Sequence, residues 1–117
     1  MTRKPQINDP EPHIVVSHGA DFFGEDRHPL RVLVSLAEYA EGCLPYDERG
    51  ALVHLLRHVG DGGTMPPAQA AEIAELLLRV ARHRYVKASA AAHARALADA
   101  AARAAADGDR WTWHLAS

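Results

Sequence analysis

The sequence predicts a helix-dominated α+β domain, with about four helices and a small two-stranded ribbon. From residue 29 onward, apolar residues recur with helical spacing in four successive segments. Two strand-like segments, residues 13–17 and 110–115, lie near the two ends. Because a lone strand leaves its backbone groups unpaired, we expect these two segments to pair with each other.

The two strands of the predicted ribbon have different sequence patterns. The first contains the β-branched run at residues 14–16, which is typical of a strand. The second alternates large and polar residues with a period of two. This alternation places Trp111 and Trp113 on one face of the ribbon, where we expect them to pack against the helices.

The first two helices are bounded by residues that favour helix ends. The first is predicted to begin at Pro29, because proline is favoured at the first helical position, and to end near Gly42. The second follows Asp47, a candidate N-cap, and ends at Gly60. The glycine-rich segment 60–64 is expected to be a flexible loop.

The third and fourth helices fill the second half of the chain. The third starts near Pro67 and extends to about Arg84. Ser89 is a candidate cap for the fourth, or a kink near Val86 joins the two helices. The fourth helix ends before Gly108, its C′ glycine. The fourth helix has an alanine-rich face that suits close packing of helices.

Length and composition indicate one soluble domain. The 117 residues suffice for a single core, predicted over residues 13–117 after a flexible tail at 1–12. A single cysteine, Cys43, excludes an intrachain disulfide and favours a reducing cytoplasm. No apolar run approaches the roughly 20 residues of a membrane-spanning helix.

The charge distribution is asymmetric. The net charge of −2 argues against a dedicated nucleic-acid binder. Residues 1–63 contain six Lys/Arg and ten Asp/Glu, whereas residues 64–117 contain seven and five. Such a dipolar distribution can steer a protein partner or a second copy of the chain.

The loop after the first strand concentrates polar side chains. Its candidate residues are Ser17, His18, Asp21, Asp26 and His28. A histidine beside a carboxylate can serve as a general base, and the same groups can bind a divalent metal. Alternatively, His18 and Asp21 only brace the turn by hydrogen bonding, and the pair at residues 22–23 fills the core.

A second candidate is the histidine pair on the second helix. His54 and His58 are four residues apart, so they lie on one helical face and can share a zinc ion. Leu55 stands where a metalloprotease HExxH motif has glutamate, which excludes that motif. The pair lies opposite the apolar stripe and is expected to be exposed, as an adventitious surface pair would also be.

A third candidate is the basic segment at the end of the third helix. Arg79, His83 and Lys87 share a face if that helix continues to residue 87, and Arg82 lies beside them. They could meet a phosphate group or an acidic protein surface. The alternative is that cations near a helix C-terminus simply suit the helix dipole.

Three segments resemble a family of small uncharacterised proteins from high-GC bacteria. They are the octapeptide at residues 17–24, the helix at 52–56 and the Pro66–Pro67 helix start. The resemblance spans most of residues 14–115. It implies no established activity and therefore assigns no catalytic residues to this chain.

These observations favour a small cytoplasmic, non-catalytic binding or regulatory module that acts through a protein partner or as a homodimer. The expected binding residues are His18, Asp21, His28, Arg79, Arg82 and Lys87. No cofactor is expected. One alternative is a metal-assisted hydrolase that uses the His/Asp loop, with zinc or another divalent metal and help from His54 or His58. A second alternative is a binder of a phosphate-bearing ligand or RNA.

Overall fold

A four-stranded antiparallel sheet packs one face against four helices in the computed structural model, which describes residues 11–116. The strand order is β2-β1-β4-β3. The strands are β1 His13–Ser17, β2 Glu25–Pro29, β3 Gly63–Met65 and β4 Trp111–Ala116. The tail predicted over residues 1–12 lies outside the described residues, apart from its last two.

The predicted number of helices is confirmed for this part of the chain. The helices are α1 Leu30–Cys43, α2 Gly50–Arg57, α3 Pro67–Ala81 and α4 Ala88–Ala106. A single 3-10 turn, Val59–Asp61, follows α2. Among residues 11–116, none of the helices combines the length and apolar character needed to cross a membrane.

The predicted pairing of the two terminal strands is confirmed. β1 and β4 are antiparallel neighbours, with Ile14 opposite Leu115 and Val16 opposite Trp113. Trp111 and Trp113 lie on the inner face and are only 2% and 8% exposed. The pairing therefore brings the two ends of the described chain together over the helical core.

The prediction of a two-stranded ribbon is wrong, because β2 and β3 flank the predicted pair. The sequence of β2 is charged and ends in proline, which an edge strand tolerates. This sequence lacks the apolar pattern that predicts a strand. Its hairpin depends on Gly19, where a Cβ would lie 2.2 Å from the Asp26 nitrogen. β3 overlaps the end of the segment 60–64, which was expected to be a flexible loop.

The alanine-rich face of α4 is part of the core. Ala90, Ala94, Ala101 and Ala104 are buried, and α4 packs along α3 over most of its length. Small side chains allow the two helix backbones to approach closely. This face is therefore not a surface for a partner.

The connection between α3 and α4 corrects two predictions. α3 ends at Ala81 and α4 begins at Ala88, so no continuous helix carries the basic segment across residues 82–87. The N-cap residue of α4 is Lys87, and no side chain in the described part of the chain caps this helix, so the predicted Ser89 cap is wrong. The first turn of α4 thus keeps its free backbone N–H groups.

We predict that Gly63→Ala destabilises the protein by about 1–3 kcal/mol. A Cβ at this position would lie 2.8 Å from Cζ2 of Trp113, the residue directly opposite in β4. The buried indole has little room to move aside. Gly42→Ala is the control, because its Cβ meets open space within a helix and should stabilise by up to about 1 kcal/mol. Urea denaturation measures both, and equal stability of the two variants would contradict the assigned packing.

Candidate functional site

The loop between β1 and β2 is a hydrogen-bonded turn. Oδ1 of Asp21 accepts hydrogen bonds from the N–H groups of Phe23 and Glu25, both at 2.8 Å. Oδ1 of Asp26 accepts from the Ala20 N–H at 2.9 Å. Asp21 therefore braces the turn, as one of the two alternatives from the sequence proposed. Its Oδ1 is engaged in hydrogen bonds to backbone N–H groups of the turn.

Two aromatic side chains project from this turn. Phe22 is 95% exposed and Phe23 is 79% exposed, and their rings meet edge to face at 5.2 Å. The expectation that they fill the core is wrong, because the turn carries both rings beyond the end of the sheet. We call Phe22 and Phe23 the aromatic tip.

His18 lies at the base of the turn and joins the two ends of the fold. Its backbone has φ +61°, a strained conformation for a side chain of this size. Nε of Arg103 donates to its carbonyl at 2.7 Å, which holds this conformation in place. Its Nε2 lies 3.2 Å from Oδ2 of Asp109 and 4.0 Å from Oδ2 of Asp107.

The two carboxylates reach His18 because of the way α4 ends. Gly108 takes φ +69°, and its N–H donates to the Ala105 carbonyl at 3.1 Å. The N–H of Asp109 donates to the Ala104 carbonyl at 2.9 Å, which completes a Schellman motif. Asp107 and Asp109 therefore flank the terminating glycine, immediately before β4 pairs with β1. Sequence reasoning missed both residues.

His18, Asp107 and Asp109 have ligand atoms that all lie within 4.8 Å of one another. One imidazole nitrogen and two carboxylate oxygens are ligand types that zinc and manganese accept. The same atoms already form the contact between the hairpin and the end of α4. A brace between these elements accounts for the cluster without a metal.

Ser17 extends this network. Its Oγ accepts a hydrogen bond from the Thr112 N–H at 2.9 Å and lies 3.1 Å from Nδ1 of His18. A neutral imidazole that donates from Nε2 to Asp109 accepts the Ser17 hydroxyl proton at Nδ1. Serine, histidine and aspartate follow one another as in a nucleophilic triad. Acyl transfer also needs a substrate pocket, and Ser17 lines neither of the two large grooves described below.

The residues of the hydrolase alternative do not converge. His28 lies opposite Ile14 in the β1–β2 register, four residues along the sheet from His18, or roughly 13 Å. Its Nδ1 contacts Nδ1 of His93 on α4 at 2.8 Å. His18, Asp21 and His28 therefore have three separate sets of partners.

The imidazoles of buried His28 and half-buried His93 form a pair. His28 is only 3% exposed, and its Nε2 has no hydrogen-bond partner in the described structure. Burial, and secondarily the charge of His93, lower the pKa of His28 to about 4 against the opposing effect of Asp26. Burial, together with Arg31, also lowers the pKa of His93.

The described part of the chain has several open grooves, and two of them combine a large volume with chemically distinct linings. The first, which we call the Trp113 pocket, has a volume of about 570 Å³. Its apolar lining consists of Ala51, Leu55, Met65 and Trp113. The second, the α1–α4 groove, has a volume of about 720 Å³ and is lined by polar residues of α1 and of the start of α4.

The predicted metal pair lies at the rim of the Trp113 pocket. His54 and His58 are exposed, as expected, and their ring centroids are 4.5 Å apart. Nδ1 of His58 also lies 3.8 Å from Oδ2 of Asp61. The two histidines form part of a largely apolar pocket rather than a metal site with a third close ligand.

The three basic candidates are separated. Nη1 of Arg79 donates to Oε1 of Glu48 at 2.6 Å, so this guanidinium has an acidic partner. Arg82 is exposed at the end of α3, and Lys87 lines the α1–α4 groove. The shared basic face expected on a continuous helix is not formed, because the helix ends between them.

We predict that His18→Ala lowers the free energy of unfolding by about 1 kcal/mol, because it removes the hydrogen bond to Asp109. Asp109→Ala should lower it by a similar amount, and the double variant by less than the sum of the two. Asp99→Ala, which removes an exposed carboxylate elsewhere on α4, is the control. Urea denaturation with unchanged stability in His18→Ala would contradict the bracing role.

The bracing role also predicts that zinc or manganese chloride leaves the melting temperature of the protein unchanged. A metal bound at His18, Asp107 and Asp109 would instead raise the melting temperature by mass action. A rise that disappears in His18→Ala would contradict the prediction and identify a metal site.

We predict that stability falls as the pH is lowered from 6.5 to 4, in part because of His28. The unfolded chain takes up a proton at the ordinary histidine pKa of 6.5, whereas the folded chain does so only near 4. This difference contributes a loss of about 3 kcal/mol across that interval. His28→Gln should reduce the pH dependence measured by urea denaturation, and His114→Gln, an exposed histidine of the same sheet, should not. Equal slopes in all three proteins would contradict the prediction.

Comparison with known proteins places the chain in a family. No curated protein and no solved structure matches it. A family model described as "Domain of unknown function (DUF7739)" matches residues 19–114, which include the turn, all four helices and most of β4. The match agrees with the resemblance to an uncharacterised family. The chain therefore belongs to the DUF7739 family.

Proposed function

We propose that this protein is a small, non-catalytic protein-interaction module that binds a second copy of itself through the aromatic tip. The observation that carries the proposal is the exposure of Phe22 and Phe23, 95% and 79%, on a turn held by backbone and Asp21 hydrogen bonds. Phenylalanine, tyrosine and tryptophan are enriched in protein–protein interfaces relative to the rest of the surface. The turn is ordered before binding, so little conformational entropy is lost.

The Trp113 pocket is the surface that we assign to the tip of the second copy. Its apolar lining of Leu55, Met65 and Trp113 suits phenyl rings, and its volume lies in the usual range for binding pockets. The imidazoles of His54 and His58 at its rim offer further flat surfaces. The tip is exposed in its own chain, so it remains free to enter the pocket of another.

A two-fold dimer repeats this contact and supplies a large part of the area of a stable interface. Each phenylalanine buries about 150–250 Å², so four rings bury roughly 600–1,000 Å² before the pocket walls are counted. Stable interfaces bury about 1,200–2,000 Å² in total. Burial of a phenylalanine side chain contributes about 1.5–3 kcal/mol, and micromolar affinity corresponds to about 8 kcal/mol. Four rings therefore supply a large part of the required free energy.

We predict that the protein sediments as a dimer at micromolar concentration and that Phe22→Ser with Phe23→Ser converts it to a monomer. Analytical ultracentrifugation measures both. The double variant should keep the parent's stability, because neither ring packs in the core. Tyr85→Ser is the matched control, since this tyrosine is 74% exposed and lies between α3 and α4, outside the turn and the lining of the Trp113 pocket. The control should remain dimeric.

A second pair of variants tests the pocket. Ala51→Trp places a bulky side chain on the pocket lining and should also give a monomer. A mixture of this variant with the tip double variant restores one intact contact per pair, so native mass spectrometry should detect their heterodimer. A monomeric parent would contradict the proposal, as would a dimer that both sets of substitutions leave intact.

A further inference from the structure

The α1–α4 groove carries a set of polar groups that the aromatic tip does not use. Arg31, Ser35 and Tyr39 line it from α1, and Lys87, Ser89 and His93 line it from α4. Its volume of about 720 Å³ lies in the usual range for small-molecule sites. Two cations and three hydroxyl groups on one concave surface suit an anionic ligand.

The start of α4 adds backbone donors to this groove. Ser89 and Ala90 of the first turn are part of the lining. The first intrahelical bond of α4 runs from the Ala91 N–H to the Lys87 carbonyl at 2.8 Å, and no side chain of residues 11–116 caps the helix. The earlier N–H groups and the helix dipole therefore favour negative charge beside Lys87 and Ser89.

The cationic groups of the groove differ in their availability. Arg31 forms an ion pair with Glu11, whereas Lys87 has no ion pair within residues 11–116. Glu38 also lines the groove and offers a hydrogen-bond acceptor. Acceptor and donors together suit a ligand that carries hydroxyl groups as well as an anionic group.

The His28–His93 pair lies beside this groove. His93 lines the groove, and its Nδ1 contacts the buried Nδ1 of His28 at 2.8 Å. One of the two imidazoles donates in this contact and the other accepts. His28 thereby fixes the orientation of the His93 ring, a positioning role that a surface histidine lacks.

We infer that the α1–α4 groove binds a small phosphate monoester that carries hydroxyl groups, such as a sugar phosphate. Lys87, Ser89 and the first backbone N–H groups of α4 hold the phosphate. Glu38 and the hydroxyl groups of α1 face the rest of the ligand. The site is separate from the aromatic tip, so binding does not depend on the proposed self-association.

The test is a two-dimensional amide NMR titration with ribose 5-phosphate, inorganic phosphate and ribose at matched ionic strength. We expect saturable shifts at Ser89, Ala90 and His93 with ribose 5-phosphate, weaker saturable shifts with phosphate, and none with ribose. Shifts that sodium chloride reproduces would overturn the inference. Equal binding of ribose and ribose 5-phosphate would overturn it as well.

Matched variants locate the site. Lys87→Ala should weaken binding of ribose 5-phosphate about tenfold or more, because it removes a charge-assisted hydrogen bond. Lys87→Gln removes the charge but keeps a side chain of similar length, and it should weaken binding as Lys87→Ala does. Arg82→Ala is the control, since Arg82 is an exposed cation of the same connection outside the groove. An equal effect of Arg82→Ala and Lys87→Ala would show nonspecific attraction and overturn the assignment.

Discussion

The pairing of β1 with β4 is the constraint on which the rest of this structure depends. It joins segments almost a hundred residues apart, so the chain between them must close into a loop before the pairing stabilises the fold. The buried Trp111 and Trp113 supply apolar contact on the inner face, and Nε1 of Trp111 donates to the Ser17 carbonyl at 3.1 Å. The same pairing determines which side chains of the two chain ends meet.

Each candidate surface follows from this closure. The aromatic tip projects from the turn that leaves β1, and its base is tied to the end of α4 through His18 and Asp109. The Trp113 pocket is lined by residues of α2 and β3 and by Trp113 of β4. The α1–α4 groove lies where β2 leads directly into α1, next to α4. A small domain thus presents an apolar surface and a polar surface at separate places.

The helices and the terminal strand pair could be predicted because their patterns are local. Helical spacing, Pro67 and Gly108 placed α3 and α4 within a few residues of their observed bounds. The Asp107 and Asp109 contacts could also have been anticipated, since both flank the predicted stop of α4 just before a strand expected to pair beside Ser17. His93 carried no such pattern. Its partner His28 lies 65 residues away, and only packing of α4 on β2 brings them together.

The sequence by itself determined the α+β class, the four helices and the pairing of the chain ends, because each depends on periodicity or on the need to pair backbone groups. The tertiary structure decided the features that those local patterns do not specify. It made strands of the charged segment 25–29 and of segment 63–65, at the end of the glycine-rich stretch, which take that form only as neighbours of β1 and β4. It also turned Phe22 and Phe23 outward and His28 inward, since exposure depends on which element covers a residue rather than on its hydrophobicity.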